Sequence, residues 1–108
     1  MASGREYLDF ILEQLSELDG VSYRPMMGEF LLYYRGRLFG GIYDNRLLVK
    51  PVKAAVAYLR TVAYEPPYPG AKAMALVDDP DDKAYLAGLV KAMYPELPEP
   101  KRRSGGTL

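Results

Sequence analysis

EFLLYYRGRLFGGIYDNRLLVK, residues 29–50, is the stretch that decides the fold. Two runs of aromatic and aliphatic residues, Glu29–Tyr34 and Arg37–Tyr43, flank Arg35-Gly36. A third run, residues 46–50, follows Asp44-Asn45. Runs of this length parted by two turn-forming residues read as β-hairpins, and Gly36 supplies the positive φ that a tight turn needs. Connections this short cannot carry a parallel crossover, so the strands form an antiparallel meander. Gly40-Gly41 inside the middle run predicts a bulge or the close approach of another backbone.

Outward from this meander the period changes. Upstream, Val21-Ser22-Tyr23-Arg24 reads as a short strand, and Pro25 assigns its end to a sheet edge or bulge. Before it, Leu8, Ile11, Leu12, Leu15 and Leu18 recur at helical intervals and predict a helix over 4–18. Ser3 is its N-cap, Glu6 completes a capping box, and Asp19-Gly20 ends it. Downstream, a helix starting near Pro51 would bury Val52, Ala55, Val56 and Leu59. The prolines of Glu65-Pro66-Pro67-Tyr68-Pro69-Gly70 exclude regular structure there, and residues 73–77 return as a strand. Asp79 then caps a last helix, with Pro80 at its first position and Tyr85, Leu86, Leu89, Val90 and Met93 on its apolar face. Pro95 stops it.

The order α-β-β-β-β-α-β-α, or a variant with the first strand merged and another in the proline loop, gives an α+β fold. It has two layers, an antiparallel meander sheet packed against helices. The length of 108 residues predicts a single domain over 1–98, followed by a flexible basic tail over 99–108. An apolar fraction of 49% suffices for one core without disulfides. The first residues lack a basic segment leading into an apolar core, and no apolar run is long enough to cross a bilayer. The expectation is therefore a cytoplasmic protein with no membrane contact.

Chemistry is limited by what is missing. The chain has no histidine, cysteine or tryptophan, which excludes imidazole- and thiolate-based nucleophilic or metal sites. No glycine-rich phosphate loop or dinucleotide fingerprint is present. Asp78-Asp79-Pro80-Asp81-Asp82 lacks the alternation and central glycine of a calcium loop, and reads as helix capping. The expectation is no enzymatic activity, no metal and no cofactor.

Charge is zero overall but segregated. Residues 1–19 carry one cation against five anions, residues 20–60 seven cations against two anions, and residues 61–100 three cations against seven anions. The basic middle third interleaves arginines with several of the ten tyrosines. Arg24, Tyr33, Arg35, Arg37, Tyr43, Arg46, Tyr68 and Lys72 are the candidate partner-binding surface. The competing reading keeps these residues in the fold, with half-buried rings and solvated charges.

Arg24-Pro25-Met26-Met27-Gly28, Tyr33-Tyr34-Arg35-Gly36-Arg37-Leu38-Phe39, Asp44-Asn45-Arg46-Leu47 and Tyr68-Pro69-Gly70-Ala71-Lys72 follow in order. In this the chain resembles the N-terminal domain of the TfoX/Sxy competence-regulator family, from about residue 5 to residue 101. The resemblance implies a sheet packed on helices, similar to that of secretion chaperones. It also implies a non-enzymatic regulatory role, because two-domain members act as co-activators of DNA-uptake competence alongside a transcription activator. The sequence ends where their second domain would begin, so a stand-alone domain is expected. The family supplies no catalytic residues to carry over.

The leading functional expectation is a regulatory protein-interaction module that binds a protein partner, such as a transcription regulator, or a second copy of itself. Nucleic acid on the basic, tyrosine-rich sheet face is the alternative, with small-ligand binding third.

Overall fold

Three two-residue turns build most of the sheet. The computed structural model describes residues 4–99. In it β1 (Val21–Met26), β2 (Glu29–Tyr34), β3 (Arg37–Tyr43) and β4 (Arg46–Val49) are joined by Met27-Gly28, Arg35-Gly36 and Asp44-Asn45. All six turn residues have φ between 51° and 87°, the paired left-handed conformation whose twist matches the flanking strands. Two of these turns are legible in the sequence; the one at Met27-Gly28 is not.

The first strand runs two residues beyond its predicted end at Arg24. With Met26 and Glu29 closing the turn, the alternation of bonded and non-bonded pairs puts Pro25, opposite Phe30, at a non-bonded position. The donor that proline lacks would point away from β2. On an outer strand that position is tolerated.

Beyond β4 come α2 (Lys53–Tyr58), β5 (Tyr64–Glu65), β6 (Met74–Leu76) and α3 (Lys83–Met93), with a 3-10 turn at Tyr94–Glu96; α1 (Arg5–Gln14) precedes the sheet. The strand order is β1-β2-β3-β4-β6-β5 and every pairing is antiparallel. The α+β, two-layer expectation therefore holds; the first strand stays separate, and an additional strand forms at the head of the proline loop. Leu8 and Ile11 of α1, Ala55 of α2, and Leu86, Leu89 and Met93 of α3 form one buried cluster with Leu32, Phe39, Ile42, Leu47, Val49 and Ala75 of the sheet. All three helices thus cover the same sheet face.

The helix starts correct two expectations. Ser3 lies outside the described residues, and the N-cap of α1 is Gly4, whose N–H donates to Asn45 Oδ1 at 3.0 Å. The cap of α3 is Asp82, not Asp79, with Asp82 Oδ1 accepting from Tyr85 N at 3.1 Å. Asp79 is engaged elsewhere, by Arg60 at 3.0 Å, and Pro80 lies before the helix. The short α2 has no side-chain cap of its own. Glu96 Oε1, from beyond α3, accepts from Ala54 N at 2.9 Å instead. Of the expected basic tail, residues 100–108 lie outside the described residues.

Both glycines of β3 are required by their surroundings. A Cβ on Gly40 would collide with the Leu48 carbonyl and Val49 Cα, and one on Gly41 would stand 2.7 Å from Phe30 O and from the Tyr43 ring. The bulge is present as well: Leu32 faces Gly40 but Tyr33 faces Leu38, so Phe39 is an extra residue on β3.

Candidate functional site on the outer sheet face

That extra residue decides which side chains reach the face turned away from the helices. Strict alternation along β3 would put Arg37 and Tyr43 on one side. Phe39 reverses the parity, so Leu38 pairs with Tyr33 and faces outward while Arg37 pairs with Tyr34 and faces the helices. The outer face then carries Ser22 and Arg24 from β1, Tyr33 from β2, Leu38 and Tyr43 from β3, and Arg46 and Leu48 from β4. Lys50 directly follows on the same side.

Two hollows on this face are lined by described residues. At the end marked by the Asp44-Asn45 turn, Arg46 organises the proline loop. Its Nη1 sits 2.6 Å from Glu65 Oε1, its Nε donates to Tyr43 O at 3.1 Å, and its Nη2 reaches Pro66 O and Pro67 O at 3.4 and 3.3 Å. A guanidinium fork suits this task because its donors lie in one plane at fixed angles. The clamp bends the loop over a hollow of about 230 Å³ lined by Glu29, Asp44, Arg46, Tyr68 and the prolines 66, 67 and 69. Pro67 is buried there, while Tyr68 projects with 56% of its surface exposed. Met27, two residues before Glu29 and at the same end of the sheet, is 96% exposed. Beneath the loop Tyr43 is buried, and loss of hydration, aided by Tyr68, Glu29 and Tyr33, raises its phenol above the usual value.

At the opposite end, marked by Gly36, lies a larger hollow of about 630 Å³. Its lining includes Ser22, Arg24, Tyr33, Leu38 and Lys50, with Pro98 and Glu99 closing the rim.

The sequence-derived surface is therefore divided. Arg24 and Tyr33 line the larger hollow; Arg46 and Tyr68 line the smaller one, over the buried Tyr43. Lys72 is exposed just past the proline loop. Two of the eight belong to other structural duties. Arg35 Nε donates to Asp19 O at 3.4 Å and its backbone N–H to Gly20 O at 2.8 Å, tying the β2–β3 turn to the end of the α1–β1 connection. Arg37 donates to Tyr94 O and Leu97 O on the helix side and lies 4.5 Å from the Tyr94 ring centroid. The arginines that alternate with tyrosines in sequence do not share one surface. Lys50, Leu38, Ser22 and Glu99 are site residues that sequence reasoning missed. The signal for Leu38 was the glycine pair, once read as a specific parity shift; that for Lys50 was its two-residue spacing from Leu48 and Arg46.

The acidic run is a structural assembly. Tyr85 Oη donates to Asp78 Oδ1 and accepts from Arg60 N, both at 2.9 Å, while Asp78 Oδ2 accepts from Thr61 N. The Arg60 guanidinium lies 4.0 Å from the Tyr85 ring centroid, and Tyr58 stacks on that ring. Among the described residues, no group of three or more carboxylates is arranged to hold a metal ion. None of their helices is long and apolar enough to cross a membrane.

Residues 13–88 match the family model for the TfoX N-terminal domain. A curated relative, an uncharacterised 12.7 kDa protein from the trpE 5′ region of Spirochaeta aurantia, is 32% identical over 108 residues, covering 99% of this chain and 94% of the relative. No solved structure gives a significant match.

Proposed function

Because the chain belongs to the TfoX N-terminal domain family, we propose that it is a non-enzymatic regulatory module that binds a protein partner through the proline-loop end of its outer sheet face. One observation carries this reading: Tyr68 stands exposed on a loop that Arg46 holds at three oxygen atoms. A rigid, exposed tyrosine anchors an interface well, because it brings large contact area and loses little conformational freedom on binding. Met27 adds a second anchor. It is almost fully exposed and held at φ 52°, an uncommon backbone conformation for a residue with a side chain, and methionine is enriched at contact surfaces. Strand addition is a poorer route to a partner: Pro25 sits in the outer strand β1, and β5 ends at Pro66-Pro67. The absence of histidine and cysteine supports the non-enzymatic part of the proposal.

The test is site-specific photocrosslinking in living cells, with a photoreactive phenylalanine at position 68 and, as control, at Lys91 on the exposed side of α3. The expected result is a discrete adduct from position 68 alone; one of twice the chain mass identifies a second copy as the partner. Equal adducts from both positions, or none from 68, refute the proposed surface. Substrate turnover by the purified chain that depends on one carboxylate or tyrosine refutes the non-enzymatic role.

A further inference from the structure

Six arginines lie among the described residues, and five of them have partners. Arg5 pairs with Asp9, Arg35 with Asp19 O, Arg37 with two carbonyls of the α3 terminus, Arg46 with Glu65, and Arg60 with Asp79 and Asp82. Arg24 makes no hydrogen bond, ion pair or ring contact with any of them, and it lines the larger hollow. Lys50, on the same lining, is half-buried, and its ammonium likewise has no partner among the described residues.

We propose that this hollow is a binding site for a small organic monocarboxylate with a flat apolar body. The register pairs Tyr33 with Ser22 on one side and with Leu38 on the other. Arg24 lies two residues along β1 from Ser22 on the same face and Lys50 directly follows β4, so a cation flanks the aromatic and aliphatic side chains on either side. A carboxylate would take charge-assisted hydrogen bonds from a cation, and an apolar body would cover Leu38 and the Tyr33 ring. The volume of about 630 Å³ lies within the range of roughly 300–1,000 Å³ usual for small-ligand sites. Glu99, on the rim, is the one carboxylate among the described lining residues; it opposes a second negative charge and so favours a monoanion over a polyanion. The phenol of Tyr33 and the hydroxyl of Ser22 add two neutral donors. The inference does not depend on the proposed protein interface, which lies at the other end of the same face.

Amide NMR titration of the full chain tests it, with 2-naphthoate as probe, 2-naphthalenemethanol as its uncharged counterpart and inorganic phosphate as the bare anion. Naphthoate is expected to give saturable shifts centred on Ser22, Arg24, Tyr33, Leu38 and Lys50, and to bind about tenfold more tightly than the alcohol. Arg24→Gln, at an exposed position, and separately Lys50→Gln, should each weaken naphthoate about fivefold and leave the alcohol unchanged. The proposal is overturned if the shifts scatter or do not saturate, or if acid and alcohol bind alike. It also fails if both variants retain full naphthoate affinity, if phosphate binds as tightly, or if only an acidic peptide binds.

Discussion

Replacing Arg46 by methionine isolates the clamp, because methionine keeps an unbranched apolar stem of similar reach while removing every donor. The loss can be sized from the contacts. The 2.6 Å bond to Glu65 is short and charge-assisted, but the two side chains are 28% and 38% exposed. Solvent screening therefore limits it to about 1 kcal/mol. The bond to Tyr43 O at 3.1 Å adds about 1 kcal/mol, whereas those to Pro66 O and Pro67 O, at 3.4 and 3.3 Å, are long and together add a few tenths. The expected destabilisation is about 2 kcal/mol, which lowers the melting temperature of a domain this size by roughly 10 °C. Urea unfolding monitored by circular dichroism measures the global loss. Hydrogen exchange should also show that it is local: the amides of Ala71, bonded to Tyr68 O, and Leu76, bonded to Ala63 O, should exchange faster than those of α1 under native conditions. A loss below about 0.5 kcal/mol, or an unchanged loop with uniformly faster exchange elsewhere, refutes the clamp.

Three other perturbations test the rest of the reasoning. Gly40→Ala drives a Cβ into the Leu48 carbonyl and should cost at least about 3 kcal/mol, whereas Gly70→Ala, at φ 88° with open space around it, should cost only about 1 kcal/mol; urea midpoints separate the two. Tyr7, Tyr43 and Tyr85 all have phenols raised first by burial. The stability they hold is intact below the ordinary phenol value of about 10 and is lost as pH rises from there through the raised native values. Tyr43→Phe should flatten that alkaline decline of the urea midpoint. Pro25→Val restores a donor on the free side of β1, and sedimentation should then detect concentration-dependent self-association stronger than that of the parent chain.

The fold was legible where one physical cause acted alone. Arg35-Gly36 and Asp44-Asn45 announce their turns because nothing nearby competes with them. The turn at Met27-Gly28 was masked by Pro25, whose effect on a strand depends on which side its missing donor faces, a property of the assembled sheet. The start of α3 was ambiguous because four aspartates within five positions can each cap a helix. Tertiary partners decided among them: Asp78 is drawn to Tyr85 and Thr61, Asp79 to Arg60, and Asp82 remains for the cap.

The site was less legible for a more general reason. Side chains on a strand are sorted by parity, and a single inserted residue inverts the parity of everything on one side of it. Gly40-Gly41 announced a bulge without fixing where it falls, so Arg37 and Tyr43, six residues apart, could be read as neighbours on one face. With Phe39 as the extra residue, Arg37 turns to the terminus of α3 and Leu38 turns outward. The same insertion thus removes a cation from the outer face and leaves an apolar side chain in its place. What remains there is two separate hollows, one beneath a clamped tyrosine loop and the other with a pair of cations that have no partner among the described residues around an apolar floor. A deletion of Phe39 would remove the extra residue and let strict alternation run through β3 in the present register, so Leu38 should stay outward and Arg37 should stay on the helix side. The price is a 1%-exposed core phenylalanine, so the variant should be less stable by at least about 3 kcal/mol.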